Sequence, residues 1–498
     1  EILSNGATDA RIISGSGNIQ LRGEHIALND FSALTSGEIE VIAGQGVSST
    51  GEIFSASAAN NSYDLSAASF DLESKGAGIG ESGGSTLEIL SNGATDAESD
   101  GNVHITSVNP TNPFKVGFID AGTNDVTIIS SLGVTDDLGT GSDAATDIIA
   151  TNLTVNNGSA GSAGDITLDT AVTNLDLKGD KIYIHEGAGI NVNSISSSAD
   201  LTLVANDAIT QSASGAIDAD STSSFTSLLS NISLTNLTND FSGAVSLTTT
   251  GSHDAMITDA NGILLENVSI GDALTINATG SITDSGNLNV GGLATIASNG
   301  NLIELGDGTN ANFGILDFSG SVVSITESSD MVLAASEATG ILTLNAGLND
   351  ISQTGVINAS DAVNLTGGDI ILTQDNNLGS IKVLNGSGDL SITESDAVDG
   401  IQITSIERTS GDLSLDSGVN AITQTDKISI DDGTITLTGG SIDLKNSNNE
   451  FGSIEVNPGA GNIEITENDA ISIAGISRTD GDLTLNAGTN GISQSGAI

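Results

Sequence analysis

Apolar and polar residues alternate in short runs along the whole chain, and one run-and-turn phrase returns at a regular interval. In the copy from Gly481 to Ile498, alternating Leu483 and Leu485 are followed by a Gly/Asn turn and a second apolar run that opens at Ile492. The opening residue of that second run recurs 69 to 73 residues apart, at Ile209, Ile282, Ile351, Ile422 and Ile492. Such a steady period predicts a repeat architecture in which each unit buries its apolar face against its neighbours.

The N-terminal region carries a longer version of the repeat. The segment EILSNGATDA occupies residues 1–10 and returns at residues 88–97, an offset of 87 residues. We therefore expect residues 1–200 to hold longer, less regular repeats of about 87 residues and residues 201–498 to hold regular repeats of about 70. The two regions are expected to form one continuous rod without a linker.

A second recurring element consists of two alternating runs separated by a glycine and two further residues. Alternation at period two is typical of a strand with one buried face, and the interruption indicates a corner after which the apolar side still points inward. The apolar and glycine positions of its four copies are Ile19, Leu21, Gly23, Ile26, Leu28; Leu175, Leu177, Gly179, Ile182, Ile184; Val363, Leu365, Gly367, Ile370, Leu372; and Ile435, Leu437, Gly439, Ile442, Leu444.

These patterns predict an all-β fold, a single right-handed parallel β-helix (β-solenoid) of about 21–22 coils and about 100 Å in length at ~4.8 Å per coil. Helices are disfavoured because three-and-four apolar spacing does not persist and Gly, Ser, Thr, Asn and Asp are abundant. Disorder is disfavoured because apolar residues recur in fixed register. An antiparallel sandwich is the main rival, but the strands are very short and tight hairpin turns do not dominate.

Two sets of positions recur in step with the repeat. Asn345, Asp416 and Asn486 follow the apolar run directly, where they form either ordinary turns or a ladder of stacked side chains along the axis. Large apolar residues share another register, where we expect core or corner filling rather than ligand contact: Phe241, Phe313, Leu378 and Phe451.

Charge and composition narrow the classes of function. The 64 acidic and 11 basic residues give a net charge of −53, which disfavours nucleic-acid and anionic membrane partners. Cysteine is absent, so disulfides, thiolate metal sites and cysteine nucleophiles are excluded. Neither a signal peptide nor an apolar run of membrane-spanning length is present, and membrane insertion is not expected. The start at Glu1 is interpreted as that of an excised segment or mature fragment of a longer chain.

The residues that carry chemistry are scattered. Paired acids occur at Asp136 and Asp137 and at Asp431 and Asp432, and only Lys178 and Lys181 bring two basic residues close together. Neighbouring residues of a strand point to opposite faces, so the acid pairs are interpreted as loop or surface charge. We predict no enzyme activity, no catalytic residues and no cofactor-binding residues.

Metal binding is weakly indicated. The histidines, His25, His104, His185 and His253, lie far apart without a zinc motif, and other copies of the His25 position hold Lys181, Asp369 and Ser441, which indicates a solvent-facing site. Acids beside glycine at Asp480–Asp482 and within Thr135–Asp143 leave calcium open, although neither segment follows an EF-hand loop. Glycosylation sequons at Asn231, Asn236 and Asn364 are expected by chance in this composition.

Three phrases resemble the repeats of filamentous-haemagglutinin-like giant exoproteins, the β-helical surface adhesins of Gram-negative bacteria: NDFSGAVSL from Asn239, LTGGSIDL from Leu437 and GDLTLNAG from Gly481. The resemblance implies an extracellular, cell-surface location, an elongated shape and structural or adhesive work, but no functional residues carry over. Partners would be further repeats of a longer chain, other copies of the chain, or host and cell-surface glycans.

Three functions follow from this interpretation. The first is a non-catalytic stalk or fibre segment of a large bacterial surface protein. The second is a filament subunit joined end to end by strand addition, because neither terminus shows a capping helix or a Pro- and charge-rich end. The third is a carbohydrate-binding or carbohydrate-active β-helix, which would need an aromatic and acidic groove that the low aromatic content disfavours.

Overall fold

The computed structural model describes residues 2–4, 13–14, 17–28, 31–33, 37–44, 51–55, 63–80, 86–137, 145–157, 164–308, 310–394, 400–431, 433–457 and 459–498. Within these ranges the regular secondary structure consists of 54 β-strands and no helix. No segment of the described chain is a helix long and apolar enough to cross a membrane. The chain folds as two compact units, Glu1–Asp259 and Ala260–Ile498.

The first unit contains strands β1 to β27. Their bounds are β1 Ile2–Ser4, β2 Ile13–Ser14, β3 Ile19–Gly23, β4 His25–Leu28, β5 Phe31–Ala33, β6 Glu38–Ala43, β7 Glu52–Ser55, β8 Leu65–Ala67, β9 Ser69–Ser74, β10 Leu87–Ser91, β11 Ala94–Ser99, β12 Val103–Ser107, β13 Phe114–Asp120, β14 Asp125–Ser130, β15 Val134–Asp136, β16 Ile148–Asn156, β17 Ile166–Gly179, β18 Ile182–Glu186, β19 Ile190–Ser197, β20 Leu201–Ala205, β21 Ile209–Gln211, β22 Ile217–Ala219, β23 Ser223–Ser227, β24 Ile232–Leu234, β25 Asp240–Phe241, β26 Ala244–Thr249 and β27 Ala255–Asp259.

The second unit contains strands β28 to β54. Their bounds are β28 Ile263–Ile270, β29 Leu274–Ala278, β30 Ile282–Asp284, β31 Leu288–Ala297, β32 Ile303–Leu305, β33 Ala311–Gly320, β34 Val323–Thr326, β35 Met331–Leu333, β36 Ser336–Ala338, β37 Leu342–Asn345, β38 Ile351–Gln353, β39 Ile357–Ala359, β40 Val363–Thr366, β41 Ile370–Leu378, β42 Ser380–Gly386, β43 Leu390–Glu394, β44 Ile401–Arg408, β45 Leu413–Asp416, β46 Ile422–Gln424, β47 Ile428–Ile430, β48 Thr434–Thr438, β49 Ile442–Leu444, β50 Ser453–Val456, β51 Ile463–Thr466, β52 Ile471–Ile476, β53 Leu483–Asn486 and β54 Ile492–Gln494.

In both units, each strand pairs in parallel with the strand one coil away. In the first unit, Leu201 of β20 lies beside Ser223 of β23, which lies beside Val245 of β26. In the second unit, β34, β37, β40 and β42 stack through a register that runs Val323, Leu342, Val363, Ile381. The predicted all-β parallel β-solenoid is therefore confirmed, with about 20 turns against the predicted 21–22. Its hand stays a prediction.

The core follows from the alternation in the sequence. Leu201, Leu203 and Ala205 of β20 are buried while the intervening residues are half-exposed. In all four copies of the two-strand element, the apolar residues are at most 7% exposed, and the second strand begins within three residues of the central glycine. The element is thus two strands joined at a corner, as predicted. The register of large apolar residues is buried as well, from 2% exposure at Phe241 to 8% at Phe451.

Candidate functional site

Polar side chains are buried at one recurring place in the coil, which we call the polar corner. It combines a glutamine that ends a short strand, an asparagine in the next coil and a carboxylate in the coil after that. Its copies are Gln211, Asn239 and Asp259 in the first unit, and Gln353, Asn376, Glu394 and Gln424, Asn449, Glu467 in the second. The three asparagines are at most 1% exposed, so each must find its hydrogen-bond partners within the protein.

The glutamine and the asparagine form a reciprocal pair across two coils. The Nε2 of Gln353 donates to the Oδ1 of Asn376 at 2.8 Å, and the Nδ2 of Asn376 donates to the Oε1 of Gln353 at 2.9 Å. The same Oδ1 accepts the Ile357 N–H at 3.0 Å, while the Nδ2 also reaches the carbonyls of Leu372 and Thr393 at 3.1 and 3.2 Å. One amide side chain therefore connects three successive coils.

The same arrangement is built in the other two copies. Gln424 and Asn449 exchange hydrogen bonds of 2.9 and 2.8 Å, and Gln211 and Asn239 exchange bonds of 2.6 and 3.1 Å. In each copy the asparagine oxygen also accepts a strand-opening N–H, from Ile428 at 2.9 Å or Ile217 at 3.0 Å. The polar corner is therefore a property of the repeat rather than of one coil.

One repeat uses a smaller variant. Asp284 stands where the other copies have glutamine, and its Oδ1 accepts the N–H of Gly306 in the next coil at 2.8 Å. The shorter side chain of Asp284 therefore reaches the backbone of the next coil directly.

The carboxylate of the corner accepts one backbone N–H from the coil before it. Glu327 Oε1 accepts the Phe313 N–H at 2.9 Å, and Glu467 Oε1 accepts the Phe451 N–H at 2.7 Å. The equivalent bonds are Leu378 N–H to Glu394 at 3.1 Å, Phe241 N–H to Asp259 at 3.0 Å and Val172 N–H to Glu186 at 3.0 Å. All five carboxylates are at most 3% exposed. These carboxylates therefore bind the backbone N–H groups of the large apolar residues that share one register in the sequence, and that of Val172.

Burial governs the protonation of these carboxylates. Desolvation raises the pKa of Glu327 to about 8, against the stabilising N–H of Phe313. Desolvation also raises the pKa of Glu467 to about 7, opposed by the Phe451 N–H and assisted by the negative charges of Asp469 and Glu450. The pKa of Glu186 is raised for the same reason. Burial therefore favours the protonated form of both Glu327 and Glu467.

Two arginines are buried or half-buried at another corner. Arg408, 3% exposed, donates from Nη1 to the Gly367 carbonyl at 3.0 Å and from Nη2 to the carbonyls of Ser387 and Gly388 at 3.0 and 2.8 Å, and to Gly368. Burial lowers its pKa, opposed by the charges of Asp369 and Asp389. Arg478, which also lies in the second unit, makes the same kind of contacts. Its guanidinium donates to the carbonyls of Gly439, Gly440 and Gly461.

A glycine makes room for each guanidinium. A Cβ added to Gly386 would lie 2.5 Å from the Arg408 Nη1, and one added to Gly459 would lie 2.7 Å from the Arg478 Nη1. Because any side chain at these positions would displace the guanidinium, each arginine and its glycine form one structural feature.

Aspartates form a ladder along the surface of the second unit, one from each coil. The Asp350 N–H donates to the Asp330 carboxylate at 3.1 Å, and the Asp369 N–H donates to Asp350 at 2.8 Å. The series continues through Asp389 and Asp412 to the N–H of Thr434. These exposed or half-exposed acids therefore bind the backbone of the following coil, so part of the large negative charge stabilises the stacking of the coils.

The recurring Asn345, Asp416 and Asn486 form local turns. Their side-chain oxygens accept the N–H two residues ahead, at 2.9, 2.9 and 3.0 Å, so the ordinary-turn interpretation describes them. A ladder of stacked amides exists in the first unit instead. There the Nδ2 of Asn174 donates to Asn152 at 2.7 Å, and the Nδ2 of Asn191 donates to Asn174 at 2.8 Å.

The paired acids do not form one kind of site. Asp137 is exposed as predicted, whereas Asp136 is 2% exposed, so its interpretation as surface charge is wrong because it lies on the inward face of β15. Asp431 is exposed, and Asp432 lies outside the described residues. Lys178 is half-buried and Lys181 exposed. Among the described residues, only Asp136 of these predicted acids is buried.

The other predicted positions are also spread over the surface. His25 is exposed as predicted, His104 and His253 are half-exposed, and the His185 Nδ1 lies 2.7 Å from the Asp169 Oδ1. Asp480 accepts the Gly461 N–H at 2.9 Å, which gives it a backbone partner. Of Thr135–Asp143, residues 138–143 lie outside the described part of the chain. Sequon residue Asn231 is exposed, and Asn236 and Asn364 are half-exposed.

Acidic side chains also stack on one face of the first unit. Glu40, Asp71 and Asp96 occupy one register in successive strands, and the pKa of Asp71 is raised by partial burial and by its acidic neighbours Glu40 and Asp96. A cavity of about 250 Å³ beside them is lined by residues that include Glu73, Lys75, Glu98, Asp100 and Asp120. In the described ranges, no three His, Asp or Glu side chains are grouped so that they would hold a metal ion.

The sequence analysis did not predict the polar corner, although its residues recur in a recognisable sequence pattern. Each carboxylate ends an apolar run as Ile-Thr-Glu or a near variant, at Glu186, Asp259, Glu327, Glu394 and Glu467. Glutamine follows in the phrase Ile-Thr-Gln or Ile-Ser-Gln, and asparagine stands two residues before the large apolar position. Polar residues next to turns are usually solvated, and only the regular spacing distinguishes these from turn residues.

A family model described as repeats of unknown function (DUF5649) matches the chain four times, at residues 179–248, 252–322, 319–385 and 387–456. Each matched segment contains one corner carboxylate, followed by the glutamine or aspartate that begins the next corner, so the family's repeat has the same period as the structural one. No curated protein and no solved structure matches the chain. Because the four matches together cover more than half of the residues, this chain belongs to the DUF5649 repeat family.

Proposed function

We propose that the chain is a non-catalytic structural segment of a large bacterial surface protein, with adhesive regions displayed on or by its coils. The observation that carries the proposal is the use of the recurring polar groups. Gln353 and Asn376, Glu327, Arg408 and the aspartate ladder all bind the backbone or side chains of neighbouring coils. A repeat whose recurring polar residues bind neighbouring coils is suited to mechanical support.

Sequence supports the location and the adhesive part of the proposal. The phrases at residues 239–247, 437–444 and 481–488 resemble those of filamentous-haemagglutinin-like exoproteins. The absence of cysteine and the charge of −53 are consistent with an exported chain that must stay soluble. On this proposal the partners are further repeats of the same kind and glycans on cell surfaces.

A filament subunit, joined end to end by strand addition, is the second candidate. It is favoured by the parallel register of the coils, in which Leu413 of β45 lies beside Ile435 of β48 and Ile435 lies beside Ile454 of β50. Strands that pair in this way with the next coil could pair in the same way with a strand of a second chain.

Electron microscopy of the full chain across a concentration series, with and without calcium, distinguishes these candidates. The structural proposal expects separate particles of one constant length at every concentration. Fibres that lengthen with concentration would support the filament instead. Compact globules would contradict both.

Binding to a panel of surface glycans tests the adhesive part. Beads coated with the full chain should retain cell-surface glycans or cells, and soluble chain should compete for that retention. Beads coated with an unrelated acidic protein control for charge. If neither cells nor glycans are retained, the chain is a spacer alone; turnover of a glycan would contradict the non-catalytic assignment.

A further inference from the structure

We propose that the buried carboxylates of the repeat act as a proton-dependent latch, which closes the coil corner when they carry a proton and loosens it when they lose the proton. The latch consists of Glu327 and Glu467, with Glu186 as a third member in the first unit. It concerns how the coils respond to their surroundings and does not depend on the proposed function.

Glu327 and Glu467 each have too few hydrogen-bond donors for an ionised group. One oxygen of Glu327 accepts the Phe313 N–H, and its Oε2 is buried with no hydrogen-bond partner. Glu467 has the same arrangement, with Oε1 on the Phe451 N–H and Oε2 unpartnered. An ionised carboxylate accepts several hydrogen bonds, so a buried one with a single donor is poorly stabilised. The neutral acid, with one acceptor oxygen in use, fits the site better.

The charged residues around Glu327 and Glu467 do not stabilise the ionised form of either carboxylate. The titratable residues on strands beside Glu327 are Glu304, which is exposed, and Asp317, which is half-exposed; both occupy outward-facing positions. Acidic Asp469 and Glu450 act on Glu467 and further disfavour its ionisation. Lys445, which follows the paired strand β49, lies 2.9 and 3.1 Å from Asp443 and Glu464 and is bound to them. The acidic neighbours provide no positive charge that would hold either group in its ionised form.

Glu186 differs in degree. It accepts the Val172 N–H and the Thr170 hydroxyl on Oε2 and the Ala188 N–H on Oε1, and His185 adjoins it in sequence. Three donors and a nearby imidazole favour ionisation more than the single donor at Glu327 does. We therefore assign the main response to Glu327 and Glu467, and a smaller one to Glu186.

The stability that these carboxylates contribute decreases as pH rises. The pKa values of about 8 and about 7 lie above the ordinary value of 4.5 for glutamate. A group whose pKa is raised on folding stabilises the fold fully below its unfolded value, and this stabilisation is lost as pH rises through the folded value. The latch is therefore closed at pH 5 and opens between about pH 6 and pH 9.

Thermal unfolding of the full chain at several pH values tests the latch. We expect the melting temperature to fall by about 5 °C or more between pH 5 and pH 9 in the native chain. The double variant Glu327→Gln, Glu467→Gln keeps the shape without the proton, so its melting temperature should fall less than half as far. Because self-repulsion of a chain with charge −53 also grows with pH, the exposed pair Glu24→Gln, Glu337→Gln serves as the matched control, and its melting temperature should fall like that of the native chain.

Equal pH dependence in the latch variant and the control variant would overturn the proposal. Infrared spectroscopy of the native chain gives an independent answer if the latch variant does not fold. A carbonyl band of neutral carboxylic acid should be present at pH 6 and should disappear by pH 9. If that band is missing at pH 6, the carboxylates are ionised and no latch exists.

Discussion

Arg408→Ala should destabilise the coils around residues 367–408 by about 3 kcal/mol or more. The substitution removes donors from the carbonyls of Gly367, Gly368, Ser387 and Gly388, which lie in two preceding coils, and leaves a space beside Gly386. Hydrogen bonds from a charged donor to buried groups contribute about 1.5–3 kcal/mol each, and buried acceptors without a donor are costly. Arg408→Lys should recover little, because an ammonium cannot reproduce the planar fork.

Hydrogen exchange measured by mass spectrometry locates the effect of Arg408→Ala. Peptides from residues 363–390 should lose protection, while peptides of the first unit keep theirs, because each coil contacts only its neighbours. Lys427→Ala is the matched surface control. Lys427 is half-exposed and its Nζ lies 3.4 Å from the Glu407 Oε1, so its loss should cost about 1 kcal/mol or less. Equal protection in the two variants would show that the guanidinium is dispensable.

Asn376→Ala should be comparably damaging, with a loss of about 3 kcal/mol in the coils around residues 353–394. The variant loses both bonds with Gln353 and leaves the buried Ile357 N–H and two carbonyls without their partner. The strand ends of three coils lose a common contact. Denaturant unfolding followed by circular dichroism, combined with hydrogen exchange of residues 351–378, measures the change.

Two further variants distinguish the loss of the Gln353–Asn376 pair from a general destabilisation of the coils. Asn358→Ala alters an exposed asparagine one coil away and should change stability by no more than about 0.5 kcal/mol. Gln353→Ala removes the other half of the pair, and the double variant with Asn376→Ala should be less destabilised than the sum of the singles. Additive losses would mean that the two amides do not act as a pair.

The strands and their faces were predictable because burial in this fold follows period two. Ile19, Leu21, Ile26 and Leu28 are buried as the alternation indicates, and the glycine between them lies at the corner. The register of Phe241, Phe313, Leu378 and Phe451 was also predictable as core. Parallel stacking followed from the very short strands and the steady repeat.

The inward polar residues were not predictable from alternation. Gln353, Asn376 and Glu327 stand beside turns, where solvated side chains are the rule, and their burial depends on which coil lies above. Arg408 belongs to a thin scatter of basic residues that gave no local signal. The pattern allows Asn345 either a turn or a ladder, and deciding between them required the hydrogen bond to Gly347. Partners about 20 residues apart are visible only once the coil length is known.

The polar corner also governs how the gene can change in length. The corner that joins Gln353 to Asn376 has the same composition and contacts as the one that joins Gln424 to Asn449 one repeat later. Recombination that removed the residues between two equivalent glutamines would leave Gln353 followed by the asparagine that now serves Gln424. The glutamine and asparagine at that junction could then form the same pair of hydrogen bonds. The number of repeats can therefore change while the polar corner keeps its partners.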